Sequence, residues 1–369
     1  METLDQFHLE LVAGEKGLNN DVKWNHVGEE PRVAEYIQGG ELVSLTGFQL
    51  GNDEEKLLQY VQEIEKNGAT GVIFSLGAYI KKIPDSVLKF GNEKDFPIFQ
   101  TPWETWLVEL NRSIGEAIIE DERAKILLEE AFRVLLFMPE NYPFYRKHFK
   151  ENGFVEGYSY TVAILERNEY TKGICQNIEV LAERRKCKSV RLKNEEELIF
   201  IFGSAKKENL SQTMEGLNDQ CNGICLLGYS NIIDGLLNIT KGYQQAKEVV
   251  QLRIHNPEIS ISDYNELGVY QILLSIKNQN LIHEFCQSIL NPLIEYDRIH
   301  DSDLMEVLKM YFQWNESISQ MAEIMSKHRN TINHKLKKIE TLTGGDFCSA
   351  EFKFKIMMAF KLNQIYDER

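Results

Sequence analysis

The chain has 369 residues, 43% of them apolar, and a formal net charge of -15, which suits two or three cores of about 100–150 residues each. The acid excess lies wholly before residue 300, since residues 300–369 hold 10 Lys and Arg against 10 Asp and Glu; an acidic body argues against broad nucleic-acid or membrane contact and restricts any DNA contact to the tail. The six cysteines include no CxxC pair and have no His at zinc-ligand spacing, so neither a disulfide framework nor a metal site is expected, and without a leader-like start or an apolar run of about 18 residues a cytoplasmic chain that crosses no membrane is expected.

Residues 1–106 alternate short apolar runs with amphipathic ones, the pattern of an α/β domain. Strands are expected at 22–27, 41–45, 71–76 and 97–100, and helices at 53–66 and 84–90, the second with Pro84 in its first turn. The run Gly39-Gly40-Glu41 lacks the Lys and the Ser or Thr that complete a phosphate loop. Two readings stand beside each other. The segment is a turn entering a buried strand, or Gly40, Glu41, Thr46, Gly47 and Gly77 line an effector pocket at strand ends, where ligands sit in α/β sheets. A carboxylate and a hydroxyl there suit the N–H and C=O groups of a purine or ureide. Trp24, Trp103 and Trp106 are read as packing residues first and as stacking partners for a planar ligand second.

From residue 107 the positions 107, 110, 114, 117, 121, 124, 128, 131, 135 and 138 are apolar except for Asp121. This 3,4 repeat over 107–138 predicts a coiled-coil or helical connector with Asp121 as a polar, register-setting core position; the alternative is a long helix packed on its own domain. A second α/β unit follows at 158–256, with strands expected at 160–165, 189–192, 198–203 and 223–229 and helices at 173–186, 209–219 and 239–252. Its turn Lys193-Asn194-Glu195-Glu196-Glu197 holds no glycine and its acids read as a solvated turn, so no catalysis and no cofactor are expected. Residues 257–299 read as a helical linker.

In the tail, 300–369, Leu304, Val307, Leu308 and Tyr311 repeat at helical spacing, as do Ile318, Met321, Ala322 and Met325. Ser317 with Gln320 has the form of a capping box, which starts the second helix near Ile318. After a turn at 326–328, the segment 329–339 keeps only Ile332, Leu336 and Ile339 for a core. Its other positions, with the two residues before it, are Lys327, His328, Arg329, Asn330, Thr331, Asn333, His334, Lys335, Lys337 and Lys338: cations that suit phosphates and amides that read base edges. No acid falls between Lys327 and Lys338. A solvated face is the plain alternative, but this is the helix that helix-turn-helix geometry sends into a major groove. Arg329, Asn330, Asn333, His334 and Lys337 are expected to contact DNA, with Arg329 and Asn333 on the exposed early turn, and Lys327, Lys335 and Lys338 to lie on phosphates. Gly344 and Gly345 supply the left-handed stop.

The string from His328 to Leu336, with Met321-Ala322-Glu323 before it and Thr343-Gly344 after, resembles the helix-turn-helix of PucR-type (purine catabolism regulator) transcription factors. Gly39-Gly40-Glu41-Leu42-Val43, Thr46-Gly47, Ile83-Pro84 and Phe96-Pro97-Ile98 are similar to that family's sensor domain. The run from Lys241 to Lys247 is similar to its degenerate GGDEF-like domain. The resemblance implies a homodimer or higher homo-oligomer that binds double-stranded DNA, answers to a small-molecule effector held by the N-terminal domain, and controls, often as an activator, genes for catabolising purines, ureides or other small nitrogen compounds. The competing reading is a nucleotide- or metabolite-binding signalling protein without DNA output.

Overall fold

Apolar and β-branched runs punctuated by glycine build a five-stranded N-terminal sheet from β1 (Glu10–Ala13), β2 (Trp24–Val27), β3 (Glu41–Leu45), β4 (Gly71–Leu76) and β5 (Ile98–Pro102) in the order β1-β5-β4-β3-β2. The computed structural model describes residues 7–168, 171–194, 197–257 and 259–366; the chain falls into two units, Met1–Leu127 and Leu128–Arg369. In the first, β2 to β5 run parallel and β1 joins β5 antiparallel. The strands expected at 41–45 and 71–76 form at those residues, whereas β1, only four residues long, has too little alternation to be read from sequence.

Side chains alternate across the pleat. Val43, Leu45, Val72 and Phe74 pack with Leu57, Tyr60, Val61 and Ile64 of α1 (Glu54–Lys66) and Val87 of α2 (Asp85–Glu93). Leu42 and Ile73 face the other way, onto Leu110 and Ile114 of α3 (Leu107–Phe137). Both faces are covered, which is why β3 and β4 read as continuous apolar runs rather than alternating ones. Asp53 caps α1 by accepting from Glu55 and Lys56 N–H, and Pro84 is the residue before α2 rather than a member of its first turn.

The helical connector is present as α3, but its 3,4 stripe is not one continuous seam. Leu110 and Ile114 are buried in the first unit, Leu128, Ala131 and Leu135 are buried in the second, and Ala117, Asp121 and Ala124 are exposed. Within the single chain Asp121 enters neither core: its carboxylate is exposed and lies 2.8 Å from Lys125 Nζ. Two separate domain cores share the same spacing, so packing within the chain accounts for the two ends of the repeat.

The second unit holds an antiparallel sheet of β6 (Ser159–Glu166), β7 (Lys188–Lys193), β8 (Glu197–Ser204), β9 (Leu227–Tyr229) and β10 (Ile233–Asp234). Its order is β10-β6-β8-β7, with β9 also on β6. On one face lie the end of α3, α4 (Tyr142–Glu151) and α7 (Ile239–His255), around Phe132, Tyr160 and Phe149. On the other lie α5 (Thr171–Arg184) and α6 (Lys207–Cys221), around Phe200, Phe202 and Leu217. The strand expected at 223–229 contracts to its last three residues because the chain turns after α6, with Gly223 at φ 72 and the N–H groups of Ile224 and Cys225 both donating to Cys221 O, and β10, two residues long, has no sequence signal. Of the turn 193–197, Glu195 and Glu196 lie outside the described residues.

After α8 (Val269–Leu274), helices α9 (Gln279–His300), α10 (Leu304–Gln313), α11 (Ile318–Ile324), α12 (Arg329–Thr343) and α13 (Ala350–Tyr366) surround one apolar core. Here α9 contributes Ile289, Leu290 and Leu293 to the same core as Val307, Met321, Ile332 and Ile356.

Candidate nucleic-acid interface and effector edge

Helices α10, α11 and α12 form because their apolar positions recur every three or four residues, and each stripe faces inward: Leu304, Val307, Leu308 and Tyr311, then Met321, then Ile332, Leu336 and Ile339 are all buried. Ser317 caps α11 by accepting from Gln320 N–H at 3.5 Å. Only this half of the box forms, since Ser317 N–H donates to Trp314 O. The turn into α12 places Ser326 at φ 52, and His328 Nδ1 accepts from Asn330 N–H at 3.2 Å. Thus His328 is a helix cap as well as a surface residue. Gly344 stops α12 with φ 68, as expected, and the helix runs four residues past Ile339 to Thr343. Gly345 serves a different end: a Cβ there would lie 1.9 Å from the Phe352 ring, so glycine lets α13 close on the core.

Ten candidate contact residues separate into two groups on and beside α12. His328, Arg329, Asn330, Thr331, Asn333, His334 and Lys337 are exposed, whereas Lys327, Lys335 and Lys338 are half-buried. Among the described residues Arg329, Asn333, His334 and Lys337 take part in no side-chain hydrogen bond or ion pair. The half-buried lysines are all engaged. Lys327 and Lys335 both pair with the Asp303 carboxylate, which is itself only 21% exposed, and Lys338 Nζ sits 4.7 Å from the centre of the Tyr296 ring, a cation–π contact.

Asp303 is the residue that sequence reading misses. It stands at the start of α10, where an Asp ordinarily caps a helix, yet its side chain makes no cap bond. That role passes to Asp297 of α9, whose carboxylate accepts from Leu304 N–H at 2.8 Å and Met305 N–H at 2.9 Å. Relieved of capping, Asp303 ties the turn before α12 and the middle of α12 to α10. The acid-free run 327–338 is thus supplied with a carboxylate from another helix, which no local spacing signals.

At the N-terminal sheet the structure separates the five candidate effector residues. Gly40 and Glu41 precede or begin β3, while Thr46 and Gly47 follow its last residue and Gly77 follows β4. Five strand steps of ~3.3 Å put Glu41 and Thr46 about 16 Å apart, on opposite edges. They do not form one pocket. The Glu41 carboxylate is also engaged in its own turn, accepting from Gln38 and Gly39 N–H, both at 2.8 Å.

The C-terminal edge of the parallel strands is the built one. Glu29, just past β2, accepts from Thr46 N–H at 3.0 Å and Phe48 N–H at 3.2 Å. Gly47, at φ +79, leaves room for Ile80, and Gly77 for Trp103, whose Cβ would lie 2.3 Å from a Cβ added at Gly77. These glycines hold neighbouring side chains in place instead of offering ligand contacts of their own. Beneath them the Tyr60 hydroxyl is buried with no hydrogen-bond partner among the described residues, and burial, then the charge of Glu29, hold its phenol above the usual range. Beyond Trp103, a cavity of about 540 Å³ opens beside Phe7, Thr105 and Trp106. Trp24 is 66% and Trp106 70% exposed, so neither is a core residue, whereas Trp103 packs on Gly77.

Three family models match the chain. Residues 1–118 match the purine catabolism regulatory protein-like family, 148–252 the GGDEF-like domain, and 304–362 the PucR C-terminal helix-turn-helix domain. Three relatives from Bacillus subtilis (strain 168) are similar over part of their length. The DNA-binding transcriptional activator AdeR is 24% identical over 141 residues, 38% of this chain and 33% of that protein. The proline-responsive transcriptional activator PutR is 30% identical over 122 residues, 32% of this chain and 30% of that protein. The purine catabolism regulatory protein is 25% identical over 139 residues, 37% of this chain and 26% of that protein. The matched stretches span about a third or less of each relative's length.

Proposed function

Since the chain belongs to the family of PucR-type transcription regulators, we propose that it binds double-stranded operator DNA through the exposed face of α12 and alters that binding when its N-terminal domain takes up a small molecule. The observation that carries this reading is the sorting of α12: an apolar stripe holds the helix to its core while Arg329, Asn330, Asn333, His334 and Lys337 stand free. Arg and Asn are the side chains that make bidentate contacts with guanine and adenine edges. His328 and Thr331 flank them on the same exposed turn. Lys327, Lys335 and Lys338, already engaged within the domain, position the helix rather than seek phosphates.

Target genes are proposed to be those for catabolising purines, ureides or related nitrogen compounds, with activation as the usual sense; two of the relatives carry the words purine and proline in their names. The effector is placed at the C-terminal edge near Thr46, Gly47 and Gly77. A homodimer presents two copies of α12, which can enter successive major grooves when they lie about 34–36 Å apart. The exposed middle of α3, with Ile119 and Ile126, is the proposed pairing surface; a monomer in sedimentation at micromolar concentration, with and without DNA, sinks the dimer. No catalysis is assigned to the middle domain, whose sequence at 193–197 contains no glycine.

Fluorescence anisotropy with the chain's own upstream DNA over a salt series tests the reading. Sequence-specific affinity whose logarithm falls steeply with log salt is expected, because each neutralised phosphate releases counterions. A panel of purine breakdown products and amino acids identifies the effector by the shift it causes. Absence of salt-sensitive, specific binding leaves the signalling protein without DNA output as the better account.

A further inference from the structure

We propose that Phe48, Tyr79 and Trp103 form an aromatic box for a small organic cation, one carrying a methylated or ring ammonium group, at the C-terminal edge of the N-terminal sheet; this rests on the effector reading above and specifies its chemistry. The three rings come from the loops after β3, β4 and β5, so the sheet topology alone brings them together. Phe48 and Tyr79 lie 5.2 Å apart between centroids with planes at 85°, and Tyr79 and Trp103 5.6 Å apart at 74°. All three keep solvent access, at 62%, 37% and 41% exposed. Rings at such angles offer no common flat platform. A planar heterocycle can lie on one ring only, whereas a compact ammonium can touch the negative faces of more than one.

The rings are held in place. Trp103 rests against the bare backbone of Gly77, and the loop bearing Phe48 is fixed by the two amide bonds to Glu29. That carboxylate, with Glu30, which accepts from Gln49 Nε2 at 3.3 Å, puts negative charge beside the loop that carries Phe48. The opposing charges in the Tyr79 loop are Lys81 and Lys82, of which Lys82 is paired with Asp85 at 2.9 Å. The balance favours a cation, and the cation–π geometry supplies the selectivity for one with spread charge and a weakly held water shell.

The test is calorimetric titration of the full chain with choline and tetramethylammonium, with 3,3-dimethylbutan-1-ol as the neutral analogue of the same shape and adenine as the planar competitor. Saturable binding of the two cations at millimolar concentration, and none of the alcohol, is expected. Phe48→Ala and Trp103→Leu should each weaken it roughly 2- to 30-fold, the range for one cation–π contact. Phe48 is exposed enough that its truncation leaves the fold intact, which circular dichroism checks. The box is overturned by no saturable binding, by equal binding of the alcohol, by binding of adenine alone, or by cation affinity unchanged in both variants. Operator affinity measured in parallel separates the two failures: DNA binding without cation binding removes the box alone, and cation binding without DNA binding removes the regulator while the box stands.

Discussion

Helices α3 and α12 carry the same 3,4 spacing of apolar residues, yet the spacing means different things in them. In α12 the stripe of Ile332, Leu336 and Ile339 enters one core, and every residue off the stripe is free or tied to a neighbour. In α3 the stripe is divided: its first part belongs to the N-terminal sheet, its last part to the middle domain, and Ala117, Asp121 and Ala124 between them face solvent. Periodicity reports which face is buried. It does not report what covers that face, because a domain core and a second helix impose the same repeat.

The largest effects should come from truncating each stripe where it is fully buried. Ile332→Ala and Leu135→Ala are each expected to cost about 2–4 kcal/mol in denaturant unfolding, the range for removing a buried aliphatic side chain. For Leu135 the loss should fall on folding of the middle domain at any protein concentration. If instead Leu135→Ala left unfolding unchanged and only dissociated an oligomer, the division of α3 between two cores would be wrong.

Next in size is the contrast within α12 between free and engaged cations. Arg329→Ala should cost about 1–3 kcal/mol of operator affinity, concentrated at one base position. Lys338→Ala, whose ammonium lies over Tyr296, should leave the ranking of operator sequences as it was. Competition against single-base operator variants distinguishes these outcomes, and an Arg329→Ala protein with unaltered sequence preference would show that α12 presents a different face.

How far the sequence could be read follows from how local each feature is. The α12 stripe, the Ser317 cap and the Gly344 stop each depend on residues within one or two turns, and all three form. The separation of Glu41 from Thr46 was also available, because one begins a five-residue strand and the other follows it. Asp303 was not: its partners lie 24 and 32 positions away, and only the packing of α10 on α12 brings them together. Asp303→Asn sharpens this point. Freed of the carboxylate, Lys327 and Lys335 can reach phosphates, so the slope of log affinity against log salt should steepen by up to about 1.8, at ~0.9 for each added contact. An unchanged slope would mean that Asp303 is not what holds these lysines from DNA.

The smallest effect is the one that discriminates most sharply between the two meanings of the repeat. Asp121 and Lys125 form an exposed ion pair, at 64% and 61% side-chain exposure, and such pairs contribute about 0–1 kcal/mol. Asp121→Leu should therefore shift thermal unfolding by less than about 0.5 kcal/mol, as surface changes do, and leave the sedimentation of the chain unaltered. A polar residue at the core of a coiled coil behaves otherwise, because it fixes register and oligomer state at a cost in stability. Replacing it there with leucine would strengthen the assembly or change its order. A marked rise in stability together with a new oligomeric state would mean that the exposed middle of α3 meets its own copy through Asp121 rather than through the Ile119 and Ile126 side.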